Sequence, residues 1–248
     1  MSEAAIQIGA LSKEFGGLRA VDGVTLSVGA GERRALIGPN GAGKTTLFHC
    51  ITGTLRPSSG TVRLFGREVT RLAEHRRTAL GMSRTFQISN VFAALTALEN
   101  LTLALLGTDR RKWIVYRPIG AFAALRRRAL DGLERVGLGH RAHDAVRELS
   151  YGERRQLELA LALNSNPRVL LLDEPCAGLS PAERQRISQM IATLPREITL
   201  VMIEHDMDVA LRLADRVTVL HRGRVILEGT PGEVQASPEV REVYFGHV

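Results

Sequence analysis

One glycine-rich stretch, Gly38 to Thr46, constrains the fold more than any other part of the chain. It reads Gly-Pro-Asn-Gly-Ala-Gly-Lys-Thr-Thr and fits the pattern G-x-x-x-x-G-K-[ST], whose backbone N–H groups wrap a phosphate. Residues 34–37 before it predict a short buried strand, and Lys44 to Thr52 after it predicts a helix with Leu47 and Ile51 on one face. A strand, a tight loop and a helix in that order predict an α/β fold.

The same stretch predicts a nucleotide site. Lys44 would reach the β- and γ-phosphates of ATP, and the Thr45 hydroxyl would ligate Mg²⁺. The N-terminus of the following helix would add positive charge. The alternative is a tight turn that binds no ligand. The candidate ATP contacts in this stretch are Gly38, Pro39, Asn40, Gly41, Ala42, Gly43, Lys44, Thr45 and Thr46.

Two acidic residues follow a second buried strand. The run from Val169 to Leu172 is uniformly aliphatic, as in a central parallel strand, and Asp173 and Glu174 come directly after it. Asp173 would bind the metal, and Glu174 would polarise the attacking water as a general base. Exposed acids at a strand end are the alternative, and the phosphate loop argues against it.

The remaining pattern predicts short strands within the first forty residues and a helical insertion at residues 96–149. Thr96 and Glu99 have capping-box spacing before one helix of this insertion, and a second helical pattern runs from Ala121 to Val136. After the insertion, helices and strands alternate up to a hairpin at residues 217–227.

Composition limits the partners. The chain has 248 residues, a net charge of +7 and no apolar stretch long enough for a membrane helix, so other chains would span any membrane it serves. The charge allows contact with nucleic acid or anionic lipid, or simply a solvated basic surface. No nucleic-acid motif accompanies it. Cys50 and Cys176 lie far apart, which argues against a disulfide framework or a zinc site.

Further motifs occur in an order that resembles the ATP-binding subunits of ABC transporters. After the phosphate loop these are residues 84–87 (RTFQ), 149–153 (LSYGE), 172–175 (LDEP) and 204–206 (EHD). The second of these is similar to the LSGGQ signature of that family. The resemblance implies a P-loop NTPase ABC cassette with a RecA-like core, an N-terminal antiparallel β subdomain and a helical insertion subdomain. The whole chain, 1–248, would be one such domain, with residues 1–95 and 150–248 as the core and β subdomain and 96–149 as the helical subdomain.

The resemblance also implies roles for three isolated residues. Gln87 matches the glutamine that ligates the metal or water and whose loop touches the membrane partner. His205 matches the histidine that bonds the γ-phosphate and positions Glu174. Phe15 matches the aromatic residue that stacks on adenine, with core packing as the alternative.

The LSYGE motif implies a dimer. In the family, the serine and the glycine backbone at this helix start face the γ-phosphate bound by the other subunit, so Ser150, Tyr151, Gly152 and Glu153 would contact ATP in trans. Tyr151 and Glu153 replace a glycine and the glutamine of LSGGQ. Helix capping by Ser150 alone is the alternative.

The departures from the common motifs resemble the ATPases of branched-chain amino-acid importers and their urea, amide and aromatic-acid relatives. This implies an ATPase that forms a homo- or heterodimer and binds two permease subunits at the cytoplasmic face of the inner membrane. A solute-binding protein would serve it indirectly, and no nucleic-acid partner is expected. The alternatives are an export or lipid-trafficking motor and a soluble ABC ATPase that acts on nucleic acid. The segments that carry the likeness are residues 15–18, 84–87, 176–181, 204–207 and 243–246.

Overall fold

Two β-sheets organise the larger of two compact units, which comprises Met1–Arg84, Arg168–Ala177 and Ile191–Val248. The computed structural model describes residues 4–85, 91–108 and 122–245. The strands of this unit are β1 (Ala4–Phe15), β2 (Leu18–Gly29), β3 (Arg33–Ile37), β4 (Ser59–Leu64), β5 (Arg67–Glu68), β6 (Met82–Arg84), β7 (Val169–Asp173), β8 (Thr199–Ile203), β9 (Arg216–His221) and β10 (Arg224–Gly229). Its helices are α1 (Lys44–Thr52), α2 (Glu74–Thr78), α7 (Met207–Leu213), α8 (Pro231–Ala236) and α9 (Pro238–Phe245).

The larger sheet has the strand order β10-β9-β3-β8-β7-β6 and is parallel except for the β9–β10 hairpin. Every residue of β3, β7 and β8 is buried, which explains the aliphatic runs at residues 35–37, 169–172 and 200–203. Because these strands are parallel neighbours, their carboxyl ends lie at one edge of the sheet. Asp173 is paired in register with Ile203 at that edge.

The second sheet is antiparallel, in the order β2-β1-β4-β5. The prediction of short strands in this part of the chain is wrong, because β1 and β2 have 12 residues each. Their pairing contains several register shifts, and Ala10 has a φ of 44°. Bulges of this kind interrupt the alternation of apolar and polar residues that marks a strand in a sequence.

The smaller unit is helical and comprises Thr85–Pro167 and Gly178–Met190. It contains α3 (Ala97–Thr108), α4 (Ala123–Arg135), α5 (Tyr151–Leu163) and most of α6 (Pro181–Ala192). The predicted capping box is present, since Glu99 accepts from the Thr96 N–H and Thr96 Oγ1 accepts from the Glu99 N–H. This unit extends beyond residues 96–149, and the subdomain division stays a prediction. Its core includes Leu101, Leu105, Leu125, Leu133, Val146 and Leu157.

The predicted fold class is confirmed in its main elements. The helix after the phosphate loop has the predicted bounds, and the hairpin turns at Arg222 and Gly223, which have φ of 48° and 81°. The sequence patterns did not indicate α2, β6, α8 or α9. In the part of the chain that the structure describes, no helix combines the length and apolarity needed to cross a membrane.

Candidate active site

The glycines of the phosphate loop are required by backbone geometry. Gly38, Gly41 and Gly43 have backbone φ angles of 149°, 77° and 99°, values that residues other than glycine rarely adopt. A Cβ at Gly38 would collide with the carbonyl oxygen of Leu220, and one at Gly43 would collide with that of Ala20. A Cβ at Gly41 would meet no neighbour, so only the conformation requires glycine there. Two close approaches and three unusual dihedrals therefore fix the loop.

Lys44 turns back onto the loop that precedes it. Its buried ammonium donates hydrogen bonds to the carbonyl oxygens of Gly38, at 2.6 Å, and Pro39, at 3.0 Å. Burial lowers the pKa of Lys44, and the nearby charge of Glu174 partly opposes that shift. The N-cap of α1 is Gly43, which supplies no side-chain cap to the helix N-terminus. The ammonium and the helix dipole thus concentrate positive charge at the loop, as an anion site requires.

The other predicted loop contacts differ in exposure. Asn40 is exposed, Ala42 is buried, and Thr45 and Thr46 are half-buried in the first turn of α1. The carbonyl oxygen of Ala42 accepts a hydrogen bond from the N–H of Gly223 at 2.9 Å, so the β9–β10 turn supports the loop.

Asp173 lies at the end of β7 and is only 1% exposed. Its Oδ2 is 3.3 Å from Nη2 of Arg84, the last residue of the adjacent strand β6. The same Nη2 is 3.0 Å from Nε2 of His49, and Arg84 Nη1 donates to Thr54 Oγ1 at 3.3 Å. Burial raises the pKa of Asp173, and the Arg84 guanidinium opposes that shift. The predicted metal ligand therefore lies beside a cation whose side chain is only 9% exposed.

Glu174 and His205 are brought together by adjacent strands. Glu174 follows β7, His205 lies just beyond β8, and Glu174 Oε1 is 2.6 Å from His205 Nε2. The backbone N–H of Glu174 donates to the carbonyl oxygen of Ile203 at 3.0 Å. Glu174 has a φ of 49°, a left-handed conformation that costs a non-glycine residue about 1 kcal/mol. The predicted base and the predicted histidine thus form one hydrogen-bonded pair.

The LSYGE motif forms the start of α5. Ser150 is the N-cap residue and makes a full capping box with Glu153, in which each side chain accepts from the other's backbone N–H. The second carboxylate oxygen of Glu153 lies 3.4 Å from Nε of Arg141. Ser150 therefore caps a helix in this chain, whatever further contact it makes.

Tyr151 and Gly152 complete the motif. Tyr151 is 49% exposed, and its hydroxyl oxygen accepts from Arg155 Nη2 at 2.9 Å. Gly152 is buried, and its N–H donates to the carboxylate of Glu183. Hydrogen bonds from the Ser180 hydroxyl and N–H, together with this one, lower the pKa of Glu183. An internal carboxylate therefore lies where the resemblance places a partner's phosphate.

Phe15 ends β1 at the turn into β2. Its side chain is 46% exposed, which excludes the alternative of core packing. The Nζ of Lys13 lies 5.0 Å from the centroid of the Phe15 ring. Gly16 and Gly17 form the turn with positive φ. An exposed ring at a hairpin end can stack on a planar base.

The magnesium ligands were predicted as Thr45, Asp173 and Gln87. Gln87 lies outside the described residues, so the structure gives no position for it. Among the described residues no group of three or more histidine, cysteine or acidic side chains could hold a metal ion. Hydroxyl and carboxylate oxygens nevertheless fit Mg²⁺, which usually takes one or two carboxylates and completes its shell with phosphate and water.

Three residues at this site had no assigned role in the sequence. Arg84 and Glu204 lie inside the motifs RTFQ and EHD, which drew attention only through Gln87 and His205. Tyr244 is in α9, where burial raises its pKa to about 12 and a hydrogen bond from the Gly38 backbone opposes the rise. The signal available in the sequence was that Arg84 and Glu204 are charged residues inside recognised motifs.

Comparisons with known proteins agree with this geometry. The sequence profile described as "ABC transporter" matches residues 21–177, and the profile described as "branched-chain amino acid ATP-binding cassette transporter" matches residues 224–248. The chain is 38% identical to the high-affinity branched-chain amino acid transport ATP-binding protein BraF of Pseudomonas aeruginosa, over 99% of both proteins. It is 37% identical to LivG of Escherichia coli, which has the same description, also over 99% of both.

Solved structures give the same result. The ADP conformation of MJ1267, an ATP-binding cassette of an ABC transporter, matches with a TM-score of 0.88 and 31% identity over 98% of this chain and 99% of that one. A dimeric post-hydrolysis state of the cassette MJ0796, bound to ADP and Pi, matches with a TM-score of 0.78 and 27% identity over 91% and 98%. The chain therefore belongs to the ABC transporter family, as an ATP-binding cassette that hydrolyses ATP to power transport.

Proposed function

We propose that this chain powers the import of branched-chain amino acids, or of a related small polar solute, through separate permease subunits. The observation that carries the proposal is its full-length similarity to BraF and LivG, whose names specify high-affinity branched-chain amino acid transport. The profile match at residues 224–248 supports the same subgroup. Solute contacts would lie in other polypeptides, so this chain contributes the motor.

ATP would bind with its phosphates in the loop of residues 38–46 and its adenine on Phe15. The Lys44 ammonium already lies across the loop, bonded to two carbonyl oxygens, and would exchange part of that bonding for phosphate oxygens. Because close neighbours already fix Gly38 and Gly43, the loop would lose little conformational entropy when ATP binds.

Thr45, Asp173 and Gln87 are the residues that would hold Mg²⁺. When bound, the ion would neutralise charge on the β- and γ-phosphates. The chain's own contribution is a buried carboxylate that Arg84 holds at the end of β7. The burial that raises the pKa of Asp173 also makes a nearby cation favourable.

Glu174 would act as the general base and accept a proton from the attacking water at its carboxylate. His205 would hydrogen-bond the γ-phosphate and orient Glu174. The 2.6 Å contact between the two supports this assignment, because it keeps the base and its orienting group together. The left-handed backbone at Glu174 is the kind of strain that persists where the surrounding structure fixes a functional residue.

Each active site would be completed by a second subunit. Ser150, Tyr151, Gly152 and Glu153 of one subunit would face the γ-phosphate bound by the other, and the dimeric MJ0796 structure supports dimerisation in the family. In the single chain the Gly152 N–H is bonded to Glu183, so ATP would replace that carboxylate.

The motor would work at the cytoplasmic face of the inner membrane as a homo- or heterodimer bound to two permease subunits, with a solute-binding protein outside. The chain would divide into a core of residues 1–95 and 150–248 and a helical subdomain of residues 96–149. This subdomain and the loop at Gln87 would transmit dimer closure to the permeases. Hydrolysis would then reopen the dimer.

The test is to isolate the chain from gently solubilised membranes and to identify what accompanies it. We expect two permeases, and ATPase activity in liposomes that rises when a branched-chain amino acid and its binding protein are added. A complex that carries Lys44→Ala is the matched control and should assemble without responding. Recovery with ribosomes or nucleic acid, or with export components and no response to solute, would reject import.

A further inference from the structure

Glu204 is a buried carboxylate directly beside a catalytic residue. It follows β8, precedes His205 and is 3% exposed. A carboxylate in such a place is unfavourable unless hydrogen bonds compensate for the lost water. Its partners therefore show what its burial achieves.

Those partners lie on the two turns that carry the reacting groups. Glu204 Oε1 accepts from the backbone N–H of Cys176 at 3.2 Å, and the carboxylate also accepts from the Cys176 thiol. On the other side it accepts from the backbone N–H of His205. Cys176 is two residues after Glu174. One carboxylate thus joins the turn after β7 to the turn after β8.

The turn after β7 needs such a restraint. Glu174 has a left-handed φ of 49°, and its N–H is already bonded to the carbonyl oxygen of Ile203. The Glu204 bond to Cys176 adds a second attachment on the far side of Glu174. The strained residue is therefore held to the end of β8 at its own N–H and again two residues later.

The side chains of the two turns meet at 2.6 Å, between Glu174 Oε1 and His205 Nε2. A short hydrogen bond of this kind needs both backbones in place. The Glu204 attachments fix the backbone of His205, which makes this contact, and that of Cys176, two residues after Glu174.

We propose that Glu204 is a positioning residue for ATP hydrolysis, which holds the Glu174 turn and the His205 turn in register through hydrogen bonds to Cys176 and His205. The inference rests on the proposed function, since Glu204 acts only through Glu174 and His205. It does not involve the phosphate loop, so nucleotide binding should be independent of it.

The experiment compares Glu204→Ala and Glu204→Gln in the full-length chain, measuring kcat, the Kd of a fluorescent ATP analogue and the Tm. Assays are run well below the lowest Tm. We expect Glu204→Ala to lower kcat about 10- to 100-fold, the effect of a small displacement of a reacting group, with Kd unchanged. Glu204→Gln keeps an acceptor oxygen and should recover part of the lost kcat.

The thiol provides a second measurement if Glu204→Ala does not fold. Cys176→Ala removes one donor to Glu204, and Cys50→Ala removes a buried thiol that lies on α1. We expect a lower kcat only for Cys176→Ala. Three outcomes would each overturn the inference. They are a wild-type kcat in Glu204→Ala, a weaker ATP affinity that parallels the fall in kcat in the Glu204 variants, and an equal kcat in the two cysteine variants.

The proposed function fails in a different way. Turnover that persists in Glu174→Gln would reject the base itself. A Glu204→Ala variant that turns over normally, beside an inactive Glu174→Gln, would reject only the positioning role.

Discussion

Two regions of the site are built in opposite ways. The strand-end cluster (Arg84, Asp173, Glu174 and His205) joins groups 89 positions apart, in the Arg84–Asp173 contact, and 31 apart, in the Glu174–His205 contact. The signature turn (residues 150–153) is closed by hydrogen bonds between residues three positions apart. The first depends on the register of a parallel sheet, and the second only on local helix capping.

The same contrast separates acids buried at strand ends from acids that cap helix starts elsewhere in the chain, because their pKa values shift in opposite directions. Burial raises the pKa of Asp173 and of Glu204 at the strand ends. Hydrogen bonds from capping N–H and hydroxyl groups lower the pKa of Glu183 and Glu233 at exposed helix starts. A buried acid therefore lowers the stability of the fold when it is charged, whereas a capping acid raises it, which suits Asp173 to binding a cation and the capping acids to fixing a helix.

The largest expected effect breaks the strand-end cluster. Glu174→Gln removes the proton acceptor and should lower kcat by about 10²- to 10⁴-fold while ATP still binds and a stable dimer accumulates. Steady-state hydrolysis and size-exclusion chromatography with ATP measure both. Glu197→Gln, at an exposed position near the start of β8, is the control. Wild-type turnover in Glu174→Gln would show that another group is the base.

The next effect is on stability. Arg84→Met leaves the buried Asp173 carboxylate beside an apolar chain, and loss of one partner of a buried pair costs about 3 kcal/mol. Urea unfolding should show that loss. Arg196→Met breaks an exposed pair with Asp215 and should cost less than about 1 kcal/mol. Equal losses would mean that burial does not distinguish the two pairs.

A smaller effect separates capping from catalysis at the signature turn. Ser150→Ala removes the N-cap and should cost about 1 kcal/mol, whereas Ser150→Asp restores the cap but adds a negative charge. We expect both to hydrolyse ATP poorly and only the alanine variant to lose stability. Thr230→Ala removes the equivalent cap of α8 and should lose stability alone. Wild-type hydrolysis by Ser150→Asp would leave Ser150 with capping as its only role.

The smallest effect is a pH dependence. The pKa of Glu233 is lowered from 4.5 by hydrogen bonds from Thr230, so its contribution to stability is present above pH 4.5 and is lost as the pH falls through its lower folded value. The difference in unfolding free energy between wild type and Glu233→Gln should be largest near neutral pH and shrink in acid. Glu239→Gln, at an exposed position of α9, is the comparison variant. A difference that grows in acid would contradict the capping assignment.

Local structure was the most predictable part of the chain. The bounds of α1 and the capping box at Thr96 and Glu99 follow from interactions within a few residues. The length of β1 was not predictable, because a bulge at Ala10 breaks the periodicity on which strand prediction depends. The helices near the C-terminus, α8 and α9, have only 6 and 8 residues, which is too short for a clear period, and the sequence did not predict them.

The sequence by itself determined the phosphate loop, since the spacing of its glycines and of Lys44 is local to one short stretch, and it determined the helix starts, since a cap and its partner are three residues apart. Only the tertiary structure decided that Arg84 lies against Asp173 and that Glu204 joins Cys176 to His205. Both contacts cross from one strand end to the next. The order and register of parallel strands are set by packing of the whole sheet, and no local pattern encodes which strand ends become neighbours.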